Sequence, residues 1–187
     1  MSEWPRSLFD APALRGLDER GQKEVVRAGH FRRIEAGATL YAPGDPSDAF
    51  FVVHKGRVRL TAVRRGDELE SELREARSLD TLGEEAALPG ALRAARAVAL
   101  EDSELAEIPM GVLKRSLAKA GGGELLEREE RSLRRAASRD VLGTLAFARD
   151  LPRDDFELLL DGVRWRSPRA ARGSTSSAIP PTSRTSW

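Results

Sequence analysis

From Gly37 to Val63 the chain reads GATLYAPGDPSDAFFVVHKGRVRLTAV, a set of short apolar runs cut by turn residues. Thr39 to Tyr41 and Phe50 to Val53 are too short for helices and are bounded by glycines and by the turn P-G-D-P-S-D, so each is expected to be a strand. Between Arg57 and Val63 apolar and polar residues alternate. That period of two sends Val58, Leu60 and Ala62 inward and the arginines to solvent.

The pattern continues outward from this stretch. Arg64 to Asp67 make a turn, and the charged segment from Glu68 to Arg77 suits a strand or a solvated helix; its place between strands favours strand. Ala95 to Leu100 and Leu105 to Ile108 complete the series, separated by Glu101 to Ser103. So many short strands with frequent turns imply a mainly β fold with flanking helices, closed as a double-stranded β-helix, a jelly-roll-like β-roll.

Helices are expected on both sides. Upstream, Leu8, Phe9, Leu14, Leu17, Val25 and Val26 recur at helical spacing, with Asp18 placed as a cap and Gly29 as a stop. Downstream, a helix starts at Pro109 with Met110, Leu113 and Leu117 on one face and is expected to stop at Gly121 to Gly123. A second is expected from Glu124 to Arg139, with glutamates early, arginines late, and pairs four apart such as Glu127 with Arg131 and Glu130 with Arg134. Its charged face reads as solvated, with a partner-binding face as the alternative.

Composition limits the function classes. The 187 residues are 40% hydrophobic and 33% charged, with few aromatics, so the core is expected to be aliphatic. A formal net charge of +1 gives no strong field toward nucleic acid or an anionic membrane, and neither is expected as a partner. The chain has no cysteine, which removes disulfides and thiolate chemistry. No apolar run nears the roughly 20 residues that span a bilayer, and Met1 to Asp10 holds no apolar signal core, so the expected location is the cytoplasm.

The C-terminal part echoes the N-terminal part at a constant offset: Leu151 matches Leu17, Leu159 and Leu160 match Val25 and Val26, and Trp165 matches Phe31. Residues 138–167 therefore read as the helical start of a truncated second repeat. Residues 168–187 are a Ser/Thr/Pro/Arg-rich tail without acidic residues, expected to be disordered. Back-translated in a shifted frame, this tail can yield a string parallel to the first strands of the roll; a frame change near residue 168 is the corresponding expectation, and the coding DNA decides it.

The chemistry sits in Leu82 to Ala97, LGEEAALPGALRAARA. Gly83 lets backbone N–H groups approach a ligand, and Glu84 can accept from sugar hydroxyls. Glu85 to Leu88 can form one helical turn with free N–H groups, which favour an anion. Arg93 can grip a phosphate oxygen, and Ala94 and Ala95 keep the adjoining wall small. These pieces are complementary to a cyclic ribose phosphate.

This stretch resembles the phosphate-binding cassette of the cyclic nucleotide-binding domain family, approximately F-G-E-x-A-L, five or six residues, then R-[AST]-A-[TS]-V. Gly37, Gly44, Asp45, Asp48, Phe50, Phe51 and Gly56 are similar to that family's glycine-marked strand turns. The resemblance covers residues 8–137 and implies an eight-stranded roll that binds cAMP or cGMP. It implies that Glu84 takes the ribose hydroxyl and Arg93 the phosphate, and that Gly83, Ala86, Ala94 and Ala95 line the phosphate pocket. Ala94 stands where a Ser or Thr hydroxyl assists cGMP in many relatives, which favours cAMP. Three positions depart from the pattern: Leu82 for Phe, Glu85 for an apolar residue, and Arg96 for Thr or Ser. Leu126 and Leu133 are the candidates to cover the base.

Other classes fit less well. Metal-dependent enzymes on a related roll need clustered ligands, and the only histidines, His30 and His54, stand apart. No nucleophile, base and orienting group can be assembled, so no enzyme, no metal and no cofactor are expected. A helix-turn-helix would follow the roll in a transcription factor of the catabolite activator type, whereas the segment after Arg139 echoes the start of a roll. The expectation is a non-catalytic regulatory module for a cyclic nucleotide, read by a protein effector. The alternative is a ligand-free roll serving as a scaffold, with Glu84 and Arg93 paired to each other or to neighbours.

Overall fold

The structure is a computed structural model and describes residues 4–63, 70–88, 90–145 and 151–163. Eight strands form two antiparallel four-stranded sheets. The first contains β1 (His30–Ile34), β8 (Ser103–Pro109), β3 (Ala49–Lys55) and β6 (Thr81–Leu82), in that order. The second contains β2 (Thr39–Tyr41), β7 (Arg96–Ala99), β4 (Val58–Val63) and β5 (Glu70–Ala76). This is the expected roll, and the segment of doubtful type is a strand, with Ala76 opposite Val58.

The core divides according to the faces of β3. Its run AFFVVHK is apolar throughout because both faces are covered. Phe51 and Val53 point into the roll, where they meet Val58, Leu60, Leu82 and Leu105. Phe50 and Val52 point the other way, into a layer built with Leu8, Leu14, Val25, Leu113 and Leu117 from the segments before β1 and after β8. One strand thus joins two cores.

Upstream, a 3-10 turn (Arg6–Asp10) precedes helix α1 (Glu19–Ala28). The Asp18 side chain caps α1 by accepting from the Gly21 N–H at 2.7 Å, and Gly29 closes it, as expected. Phe31 lies beyond the helix in β1. That strand escapes sequence reading because its Arg32 and Arg33 mask the period of two at a sheet edge.

Downstream, the expected stop at Gly121 to Gly123 is not made. Helix α2 runs unbroken as Met110–Gly143, through the glycines and past residue 137, where the sequence suggested a domain boundary. A glycine in a helix costs about 1 kcal/mol relative to alanine. Packing on both sides of the triplet outweighs that: Leu113 and Leu117 before it and Leu133 and Ala137 after it are all buried.

Helix α3 (Arg153–Gly162) begins and ends at the same offset from α1 as the matched leucines. Arg135 pairs with Glu157 and Asp161, and Arg139 with Glu157, so part of the charged face of α2 meets α3. The Arg134 to Glu130 pair forms as expected, at 3.1 Å. The expected turn at 64–67 and the tail lie outside the described residues.

Candidate functional site

The glycine-carboxylate pair and the arginine meet in space because two loops fix them. Gly83 has φ 77, a left-handed conformation that favours glycine, and it starts a 3-10 turn over Glu84–Ala87. A Cβ at Gly83 would stand 2.2 Å from Arg93 Nη1, so the arginine lies against a surface only glycine provides. The turn after β2 holds the other loop. Arg93 N–H donates to the Asp45 carbonyl and Gly44 N–H donates to the Arg93 carbonyl, both at 2.9 Å. The P-G-D-P segment thus serves as a clamp for the arginine's backbone.

Arg93 is buried, at 5% exposure. Its Nη1 donates to the Gly83 carbonyl at 3.0 Å and its Nη2 to the Ala49 carbonyl at 2.6 Å. The guanidinium lies over the Tyr41 ring, 4.4 Å from the centroid, with Phe51 at 5.5 Å. Its Nε is buried without a hydrogen-bond partner. A buried donor left unpaired costs about 1–3 kcal/mol, so the site carries an unmet demand for an acceptor.

Glu84 is 2% exposed. Its carboxylate accepts from Thr81 Oγ1 at 2.5 Å and from Arg74 Nη2 at 3.3 Å. Arg74, on β5, forks onto Asp140 of α2 with two bonds of 3.0 Å. Burial lifts the Glu84 carboxyl above the usual carboxylate range against the opposing charge of Arg74, and Asp140 adds to the rise. Burial works against the Arg74 charge, but the bonds and charge of Asp140, with Glu84, outweigh it and raise the Arg74 pKa.

Glu84 and Arg93 do not pair with each other. The carboxylate near Arg93 is Glu85, whose Oε1 stands 3.8 Å from Nη1, with both side chains buried. Arg96 points away, to Glu70 at 2.9 Å. Ala95 packs into the roll, Ala86 packs against the helix-side layer, and Ala94 is half-buried. Leu133 and Leu126 also pack into the helix-side layer, so α2 is already seated on the cassette turn. Lys114 reinforces that seating by donating to the Ala87 carbonyl at 3.2 Å.

Sequence reasoning missed Arg74, Thr81, Asp140 and Tyr41. Thr81 stands three residues before Glu84 and was open to a local reading. Arg74 and Asp140 are 66 residues apart and meet only through the fold. Among the described residues no group of His, Cys, Asp and Glu could hold a metal ion, and no helix is long and apolar enough to cross a membrane.

Residues 31–120 match the family model of the cyclic nucleotide-binding domain. Over 80 residues the chain is 38% identical to the human patatin-like phospholipase domain-containing protein 6, covering 43% of this chain and 6% of that protein. It is 35% identical to lysophospholipase NTE1 of Mycosarcoma maydis over 80 residues, 42% of this chain and 4% of that protein. The chain thus spans well under a tenth of the length of these curated relatives. Among solved structures, the N-terminal domain of a Streptomyces coelicolor A3(2) transcriptional regulator superposes with a TM-score of 0.57 at 26% identity, covering 70% of this chain and 92% of that one. The Thermus thermophilus catabolite activator protein gives 0.56 at 26% identity, over 80% and 62%. The regulatory domain of Toxoplasma gondii PKA, solved with cAMP, gives 0.57 at 22% identity over 67% and 46%, and shows the shared fold.

Proposed function

The chain carries, over residues 31–120, a domain of the cyclic nucleotide-binding family, and from that membership we propose that its cassette binds a cyclic nucleotide, cAMP in preference to cGMP, as a non-catalytic regulatory module. The buried Arg93 with its unpartnered Nε, beside a turn that begins at a left-handed glycine, is the observation that carries this reading. Arg93 binds the phosphate, Glu84 accepts from the ribose hydroxyl, and Gly83, Ala86, Ala94 and Ala95 line the pocket. Ala94 offers no hydroxyl to a guanine amino group, which supports the base preference.

In this reading the ligand competes with Arg74 for Glu84. Because Arg74 also holds Asp140, occupation of the ribose site is felt at the end of α2. A protein effector reading that helix completes the signal. We extend the reading to 138–167 as the opening of a second repeat, supported by the matched bounds of α1 and α3.

A second reading has its own support. Glu84 and Arg93 each have partners within the chain, as a ligand-free scaffold roll requires. A thermal-shift screen of cAMP, cGMP and cyclic dinucleotides separates the two. A ligand at 100 times its Kd stabilises by about 2.7 kcal/mol, whereas a scaffold melts at one temperature whatever is added.

A further inference from the structure

The Arg93 guanidinium favours an anion at the cassette. A buried carboxylate stands beside it: Glu85 has its Oε1 3.8 Å from Arg93 Nη1, with both side chains almost fully covered. The chain's own side chain stands where the cassette offers its positive potential.

We infer that Glu85 is an internal counter-anion of the cassette, holding the place beside Arg93 that a ligand phosphate takes, so that the phosphate enters only as this carboxylate is displaced or neutralised. The inference rests on the proposed cyclic nucleotide function and adds the residue that sets its affinity. Two anions cannot share one desolvated guanidinium without strong repulsion.

The surroundings of Glu85 allow neutralisation. Burial lifts its carboxyl above the ordinary value of 4.5, against its backbone N–H bonds and Arg93, and Asp140 adds to the rise. The facing groups are Arg93 from the loop before β7, Tyr41 from β2, Glu84 from the same turn, and Asp140 from α2, with Arg74 of β5 bound to the last two. Tyr41, raised by burial and then by Glu85, stays protonated and supplies no competing charge. Phosphate binding is therefore coupled to uptake of a proton.

The test is calorimetric titration of cAMP into the wild-type chain, Glu85→Gln and Glu85→Leu at several pH values, with melting curves confirming that each is folded. Wild-type affinity is expected to weaken as pH rises above the ordinary carboxylate range, by at most about tenfold per pH unit for one proton. Both variants are expected to bind about tenfold or more tightly at pH 8 and to lose that slope. Affinity within twofold of wild type in both variants, with the slope kept, overturns the role of Glu85 and leaves the proposed function standing. Absence of binding in all three folded proteins overturns the proposed function, and this inference with it.

Discussion

Arg93 is buried, and its guanidinium is held by the carbonyls of Gly83 and Ala49. A guanidinium held between two carbonyls and over two aromatic rings is rigid before any ligand arrives, so its side-chain entropy has already been lost. Gly83 makes that position possible. Gly83→Ala is expected to lower stability by about 1–3 kcal/mol through its left-handed backbone and to push Arg93 aside, read as a lower midpoint in urea together with weaker cAMP binding. Glu84 and Glu85 hold a proton more tightly in the folded chain than in the unfolded one. Their contribution is thus fully present below the ordinary carboxylate value and lost as pH rises through their raised folded values. The stability of Glu85→Gln relative to wild type should therefore grow between pH 5 and pH 8 in urea titrations; a difference that stays flat or shrinks contradicts the sign. The nearness of Gly83 to Arg93 was legible in the sequence because both stand between β6 and β7, whereas Arg74 and Asp140 meet Glu84 only through folding.

Among the elements, α2 departs most from what the sequence suggests. Three consecutive glycines read as a stop, yet the helix passes through them, with side chains buried both before them, at Leu113 and Leu117, and after them, at Leu133 and Ala137. Because α2 is continuous, Gly121→Ala is expected to stabilise the chain by about 1 kcal/mol in chemical denaturation; a loss of stability contradicts the continuous helix. The end of this helix is tied to the site through Asp140, Arg74 and Glu84. Asp140→Asn should cost about 2 kcal/mol of stability, as loss of charged hydrogen bonds does, and should alter cAMP affinity although residue 140 lies outside the cassette. The strands were legible where residues alternate, as in β4, or where a short apolar run is bounded by turn residues, as in β3. They were not where charge breaks the alternation, as in β1, or where only two residues pair, as in β6.

At the level of the whole molecule, the roll and the helical layer share β3, so the site floor and the helical layer rest on one strand. Phe51 supports the ring pair under Arg93, and Phe50 on the opposite face touches the helical layer. The fold class was legible because turn spacing and alternation are local properties. The pairing of Glu85 with Arg93 was not, because sequence spacing shows only that two charges are near and not which of them fills the site. We propose that Arg93 holds a cyclic nucleotide phosphate, and the decisive experiment is titration of cAMP and cGMP into the wild-type chain and into Arg93→Ala, with both proteins verified as folded. Saturable binding in the wild type, tighter for cAMP, and its loss in Arg93→Ala are expected; equal binding by the two proteins, or none by a folded wild type at any pH, overturns that role.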